Sequence, residues 1–93
     1  MISLTARPRL SFKARLRYDR RTGRYLLLYP EAGLELNKTA TEITWLCTGE
    51  WTVNDMVRRI TASYVEVSSV EVERDVQRFL QALADRALLE GLQ

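Results

Sequence analysis

Apolar and polar residues alternate along the first third of the chain, which is typical of a strand with one buried face and one face in water. In residues 12–18 the apolar positions are Phe12, Ala14, Leu16 and Tyr18. The polar positions between them are Lys13, Arg15 and Arg17. Residues 24–29 are apolar on both faces, which predicts a central strand. The turn-forming residues 19–23 join the two strands into a hairpin.

A third, short strand is predicted at Leu34-Glu35-Leu36, where the two leucines share a face. It follows the central strand after a turn at residues 30–33, so we expect it to lie at an edge of a three-stranded antiparallel sheet. An unpaired strand edge is a template for a further strand, so this segment is a candidate binding element.

Three amphipathic helices are predicted after the strands. Asn37 is the expected N-cap of the first helix, Thr39 and Glu42 offer a competing capping box, and Gly49 is expected to end the helix. Apolar residues at spacings of three and four form its buried stripe, namely Ala40, Ile43, Leu46 and Cys47.

The second and third helices carry similar signals. Thr52 is the expected cap of the second helix, with Asp55 in its first turn. Its apolar stripe is Val53, Met56, Val57, Ile60 and Tyr64. Ser68 and Glu71 form a capping box for the third helix, which we expect to continue to Gly91. Its stripe is Val72, Val76, Phe79, Leu80, Leu83, Ala87 and Leu88.

Antiparallel strands followed by helices indicate an α+β fold. The short second helix, the short connection and the long third helix resemble a helix-turn-helix with a small attached sheet, which is a winged-helix-like arrangement. The prediction is a single domain over residues 1–93, with strands at about 12–36 and helices at about 38–90.

Composition narrows the chemistry of the chain. Histidine is absent and Cys47 is the one cysteine in 93 residues, which excludes structural zinc, an intramolecular disulfide and Ser–His–Asp or Cys–His catalysis. Cys47 lies on an apolar stripe and is expected to be a buried, inert thiol. The acids Glu71, Glu73 and Asp75 do not share one helix face. We therefore expect no enzyme, no metal site and no cofactor.

Neither a signal peptide nor a membrane span is indicated. The N-terminal residues lack an apolar segment, and the longest apolar run is residues 25–29, far short of the roughly 18 residues that suggest a membrane span. We expect a soluble cytoplasmic protein without membrane contact.

Charge is divided unevenly along the chain. Residues 1–30 carry eight basic groups and one acid, whereas residues 31–93 carry six basic groups and eleven acids. The basic part suggests a surface for an anionic partner or contact between the two halves, and the alternative is ordinary solvated faces. The candidate electrostatic surface is Arg15, Arg17, Arg20, Arg21 and Arg24.

A helix-turn-helix raises the hypothesis of a DNA-binding regulator, in which the N-terminus of the third helix would enter the major groove. That end carries Glu71, Glu73 and Asp75 against Arg74 alone. These acids would repel the phosphate backbone, so nucleic acid is disfavoured as a partner and remains the alternative.

Peptide binding fits the edge strand better. If the third helix packs beside the third strand, a peptide can add as a fourth strand and place alternate side chains in an apolar groove. We expect most of the residues concerned to be core and a minority to line the groove. The residues of these two elements that would do so are Leu34, Leu36, Val76, Phe79, Leu80 and Leu83.

Several segments, taken in order, point to a known family. They are Arg7-Pro-Arg-Leu, Arg17-Tyr-Asp-Arg20, Tyr25-Leu-Leu-Leu-Tyr-Pro-Glu31, Leu34-Glu-Leu-Asn37 with Thr39-Ala40, and Val76-x-x-Phe79-Leu80-x-x-Leu83-x-x-x-x-Leu88. This ordered set, over about residues 7–90, resembles the PqqD family of pyrroloquinoline quinone (PQQ) biosynthesis. The string Leu-Glu-Leu-Asn-x-Thr-Ala before a helix is its most specific part.

The resemblance implies a RiPP recognition element, a domain that binds the leader of a ribosomally made precursor peptide. It further implies a chaperone that binds the precursor PqqA and presents it to the radical SAM enzyme PqqE, with the leader paired to the third strand against the third helix. Here those positions are Leu34, Glu35, Leu36, Asp75, Val76, Phe79, Leu80 and Leu83. The chemistry and the cofactors would then belong to the enzyme.

Other interpretations stay open at this point. Related domains serve other peptide-modifying pathways, and a purely structural subunit fits the composition equally well. The unpaired edge also permits a homodimer formed by strand pairing or strand exchange.

Overall fold

One face of a three-stranded antiparallel sheet packs against helices in the computed structural model, which describes residues 1–92. In chain order the elements are β1 (Arg9–Leu10), β2 (Arg15–Asp19), β3 (Arg24–Tyr29), β4 (Ala32–Leu36), α1 (Lys38–Leu46), α2 (Val53–Ser63), α3 (Ser69–Asp85) and β5 (Leu89–Glu90). The strand order β2-β3-β4 places the predicted central strand in the centre and the predicted edge strand at an edge. The predicted α+β fold is confirmed.

The register of the sheet decides which side chains face the helices. Leu16, Leu27 and Leu34 lie opposite one another across the three strands, and Leu27 is fully buried. Around it is a small core cluster that consists of Ala14, Leu27, Leu36, Leu83 and Leu88. Because side chains alternate between the faces of a strand, the other face carries Arg15 and Arg17 beside the leucines of β3.

A larger core lies among the helices and contains many of the predicted stripe residues. Its buried members are Ile2, Ala6, Ile43, Cys47, Val53, Met56, Val57, Ile60, Val72, Val76 and Leu80. The N-terminal segment joins this core, because the Gln77 side-chain amide accepts from the Ile2 N–H at 3.0 Å and donates to the Ile2 carbonyl at 2.8 Å. The segment has no periodic pattern, so its burial was not predicted.

The helix N-caps follow the sequence signals, whereas α1 ends at Leu46, before the predicted stop at Gly49. Asn37 caps α1, because its Oδ1 accepts from the Ala40 N–H at 2.8 Å. In α2, Thr52 and Asp55 exchange hydrogen bonds as a capping box. The bond from the Thr52 N–H, together with bonds from the Arg58 and Thr52 side chains, lowers the pKa of the Asp55 carboxyl to about 2. The ionised box therefore stabilises the fold at neutral pH, and this contribution is lost as the pH falls toward 2.

Phe12 does not join the sheet, so this part of the strand prediction is wrong. β2 begins at Arg15, and the Phe12 side chain is 96% exposed. The chain turns at residues 11–14, where the Ala14 N–H donates to the Ser11 carbonyl at 3.0 Å. The Ser11 N–H donates to the Leu88 carbonyl at 2.8 Å. The backbone at Ser11 thus contacts the C-terminal segment, and the strand is shorter than the alternation suggests.

α3 ends at Asp85, so the prediction that it continues to Gly91 is wrong. The Leu88 N–H donates to the Leu83 carbonyl and the Ala87 N–H donates to the Ala84 carbonyl, both at 2.9 Å. This pair of bonds is a Schellman motif, which requires the left-handed φ of 58° observed at Ala87. Ala87 is exposed, and Leu88, which directly precedes β5, returns to the core.

Replacement of Ala87 with Gly should stabilise the protein. A Cβ in the left-handed region costs roughly 1–2 kcal/mol, which glycine avoids. The greater conformational freedom of glycine in the unfolded chain offsets about half of this gain. We expect the free energy of unfolding in urea to rise by about 1 kcal/mol. The control is Ala84→Gly, inside the last helical turn, which should lower it by a similar amount. A loss of stability at both positions would contradict this account of the helix end.

Candidate functional site

The edge of β4 is the first component of the candidate site. β4 pairs with β3 along one side, and within residues 1–92 its other side has no strand partner. Leu34 is half-buried on the face that packs against the helices. Backbone groups along such an edge are available to an added strand, whose side chains would alternate between the two faces.

A cleft between the start of α1 and the middle of α3 is the second component. Its volume is about 370 Å³, and its lining is Asn37, Thr39, Ala40, Ile43, Asp75, Arg78 and Phe79. Ile43 belongs to the buried core, whereas Asp75 and Arg78 are exposed. The cleft thus combines an apolar floor with a charged rim, an arrangement typical of sites that bind side chains.

Phe79 connects the cleft to the edge strand. Its half-buried ring packs against both core clusters, and Leu34 of β4 packs against one of them. The spacing of four between Asp75 and Phe79 places both residues on one side of α3. A chain laid along β4 would therefore meet Phe79 where the sheet and the helices join.

The eight residues assigned to the site from the sequence divide into two groups. Four are core residues with little or no exposed surface, namely Leu36, Val76, Leu80 and Leu83. Four can be reached from solvent, namely Leu34, Glu35, Asp75 and Phe79. This division has the form expected above, in which most of the apolar members are core.

Glu35 is exposed but its side chain is already engaged. It accepts a hydrogen bond from Arg24 Nη1 at 3.1 Å on the outer face of the sheet. Both side chains are about half exposed, and such surface pairs contribute about 0–1 kcal/mol. A strand added to β4 would therefore meet the backbone of Glu35 rather than its carboxylate.

The residues that α1 contributes to the cleft were not assigned from the sequence, and neither was Arg78. Asn37, Thr39 and Ala40 were analysed as cap, stripe and family-motif positions but not as cleft residues. Since α1 begins directly after β4, its first turn must lie near the edge strand. That adjacency and the spacing of three between Asp75 and Arg78 are the signals that could have identified them.

The basic surface lies apart from the cleft. Arg15 and Arg17 are exposed on β2, at the opposite edge of the sheet from β4. The remaining members, Arg20, Arg21 and Arg24, are exposed in the hairpin turn and at the start of β3. Arg24 pairs with Glu35, whereas the structure does not bring the other four arginines together with the predicted groove residues.

Cys47 is a buried and inert thiol, as predicted. Its Sγ donates to the Ile43 carbonyl at 3.2 Å, and burial raises the pKa of the thiol to about 12. The thiol is therefore neutral at physiological pH and is a poor nucleophile. In the part of the chain that the structure describes, no group of three or more His, Cys, Asp or Glu side chains could hold a metal ion. No helix there is long and apolar enough to cross a membrane.

Comparison with solved structures relates this fold to peptide-recognition domains. The chain is similar to the PqqD truncation of PqqCD from Methylobacterium extorquens, a solution NMR structure described as a functional and stand-alone RiPP recognition element. The TM-score is 0.81 at 29% identity, over 97% of this chain and 95% of that one. It is also similar to TbiB1 in complex with the TbiA(beta) leader peptide, with a TM-score of 0.75 at 28% identity over 91% and 98% of the two chains.

Sequence comparison leads to the same family. Residues 24–89 match the family model described as coenzyme PQQ synthesis protein D, PqqD. A protein of Rhodopseudomonas palustris strain CGA009 named "PqqA binding protein" is 38% identical over 88 residues, which cover 95% of this chain and 85% of the relative. The resemblance stated from the sequence is thereby confirmed, and the chain belongs to the PqqD family.

Proposed function

We propose that this protein is the peptide-recognition element of a PQQ biosynthesis pathway. It binds the leader of the precursor peptide PqqA and presents the peptide to the radical SAM enzyme PqqE in the cytoplasm. The names of its relatives and the leader-peptide complex of a structural neighbour support peptide binding. The identity of the enzyme partner follows from the family resemblance.

The observation that carries the proposal is the unpaired edge of β4 beside the Phe79 cleft. The leader adds to β4 as a fourth strand and its backbone supplies hydrogen bonds. Side chains on its inner face enter the space between Leu34, Phe79 and the rim of Asp75 and Arg78. Affinity thus comes from the backbone, and selectivity comes from the cleft.

Preorganisation is the physical benefit of this step. Fixing the backbone of a flexible peptide costs about 1–2 kcal/mol per residue. When the leader binds to β4, its backbone loses this conformational entropy in the recognition complex. The entropy is then not lost again when the enzyme binds the peptide for reaction. The recognition element then needs no catalytic group of its own.

An NMR titration of the labelled protein with a synthetic PqqA-type leader peptide tests peptide binding, with duplex DNA as the parallel sample. We expect saturable shifts in residues 33–37 and 72–83 and none with DNA. Shifts with DNA but not with the peptide would replace the proposal with the DNA-binding alternative. Absence of shifts with both would mean that another peptide, or a structural role, applies.

The basic surface is proposed to attract acidic segments of the peptide or enzyme. Arg15 and Arg17 are exposed and, within the described residues, have no ion-pair partner. The double variant Arg15→Glu/Arg17→Glu should weaken binding several-fold at low salt and flatten its dependence on salt, because long-range attraction is screened beyond about 10 Å at 0.1 M. Calorimetric titration with the peptide and with the enzyme at several salt concentrations measures the affinity and its salt dependence. Unchanged affinity at low salt would contradict the proposed attraction.

A further inference from the structure

A group of aromatic side chains stands exposed on the side of α1 away from the Phe79 cleft. Trp45 is 57% exposed and Tyr18 is 52% exposed. The Tyr25 ring lies between them, with its centroid 5.2 Å from that of Tyr18 and 6.0 Å from that of Trp45. Other large exposed apolar residues, such as Phe12, make no such aromatic contact among the described residues.

The geometry of α1 separates the Trp45 ring from the Phe79 cleft. Ile43 is buried and lines the Phe79 cleft, whereas Trp45 projects outward two residues later. Two residues turn an α-helix by about 200°, so the two side chains leave opposite sides of α1. A ligand in the cleft and a partner on Trp45 can therefore be bound together.

Two clefts flank the Trp45 ring and make it accessible on both sides. One, of about 600 Å³, lies between α1, the start of β3 and the end of β4. Its lining includes Arg24, Tyr25 and Lys38 and extends to Leu36 and Asn37. The other, of about 420 Å³, lies between α1 and α2 and includes Glu42 and Arg59. A partner can thus place side chains on either side of the indole, the arrangement found at interface hot spots rich in Trp, Tyr and Arg.

The charges around the ring are mainly positive. Lys38 Nζ lies 5.7 Å from the centroid of the Tyr64 ring, and the Arg59 guanidinium lies 4.3 Å above Trp51. Neither cation has a carboxylate partner within residues 1–92. The nearby acid, Glu42, already accepts the hydroxyl of Tyr64 at 3.0 Å. Cations held on aromatic rings and free of acids are complementary to an acidic surface.

A second copy of this chain fits the same surface poorly. A two-fold symmetric contact places a patch against itself, so Lys38 and Arg59 would meet their own counterparts. Like charges brought together at an interface are unfavourable. The charge pattern therefore favours a different protein.

We propose that one exposed surface of the protein binds an acidic patch of the enzyme that modifies the bound peptide. This surface, here termed the Trp45 surface, consists of Tyr18, Tyr25, Lys38, Trp45 and Arg59. An apolar side chain of that enzyme packs beside Trp45, and its carboxylates pair with Lys38 and Arg59. The inference rests on the proposed function, because it assumes that an enzyme receives the peptide. It adds a separate docking site, so peptide and enzyme bind to opposite sides of α1.

The test measures binding of the intact protein to purified PqqE and to a PqqA-type leader peptide in separate experiments. Trp45→Ala should weaken enzyme binding about tenfold, and Lys38→Glu should weaken it several-fold with a smaller dependence on salt. Both variants should bind the peptide as the wild type does. The control is Phe12→Ala, which removes a more exposed aromatic ring elsewhere and should change neither affinity.

Each other outcome has a definite meaning. Wild-type enzyme affinity in Trp45→Ala would overturn the inference and leave the proposed function intact. Loss of peptide binding in a folded Trp45→Ala variant would assign the surface to the peptide and overturn the inference. A wild-type protein that binds the peptide but not PqqE would overturn the inference and the presentation step, while peptide recognition would stand. A concentration-dependent dimer lost in Trp45→Ala would assign the surface to a second copy and overturn the inference.

Discussion

Replacement of Phe79 with Asp is expected to weaken binding of the leader peptide severely. The ring forms an apolar wall of the α1–α3 cleft and packs against both core clusters. A carboxylate there removes this apolar wall and adds a charge one helical turn from Asp75. We expect a loss of about 2 kcal/mol or more, roughly 30-fold in affinity, as for other buried aromatic hot spots. Calorimetric titration with the peptide measures it.

Folding must be separated from binding in this experiment, because Phe79 is partly a core residue. Thermal unfolding followed by circular dichroism establishes whether Phe79→Asp is folded at the titration temperature. Asp75→Tyr is the second variant, since it obstructs the cleft from an exposed position and should weaken binding about tenfold. Its control is Gln81→Tyr, at an exposed position of α3 outside the cleft. If a folded Phe79→Asp protein binds the peptide normally, the groove lies elsewhere.

The elements that could be predicted are those whose signals are local. Alternation in β2, the two-sided apolar pattern of β3, and the caps Asn37 and Thr52 depend on neighbours within a few residues. The pairing of β1 with β5 joins segments at opposite ends of the chain, two residues each, and carries no periodicity. Phe12 was misplaced for the same reason, because the contact of Ser11 with Leu88 is remote in sequence.

The candidate site follows the same division. Leu34 could be identified from its place after a central strand, and Phe79 from its place on the α3 stripe. The approach of the first turn of α1 to α3 is a tertiary contact, so Thr39 and Ala40 were not recognised as cleft residues. The Trp45 surface was missed because Trp45 lies outside the apolar stripe, and a pattern search for core positions passes over such a residue.

Replacement of Gly91 with Ala is expected to destabilise the protein more than the same replacement at Gly23. Gly91 has a φ of 74°, and a Cβ there would lie 2.5 Å from the carbonyl oxygen of Arg7. The backbone strain alone costs roughly 1–2 kcal/mol. Relief of the clash requires β5 to move away from β1, which disturbs the Arg9–Glu90 pair and the burial of Leu88. We expect the free energy of unfolding in urea to fall by about 3 kcal/mol or more.

Gly23→Ala is the matched control because it shares the strain and lacks the clash. Gly23 has a φ of 71° in the β2–β3 turn, and the nearest atom to an added Cβ is the Tyr18 hydroxyl at 3.9 Å. Its substitution should cost only the conformational part, roughly 1–2 kcal/mol. The difference between the two variants then measures how firmly the chain ends are held together. If the two variants lose the same free energy of unfolding, the backbone around Arg7 and Gly91 can move apart without cost. The pairing of β1 with β5 would then contribute little to the stability of the helical core.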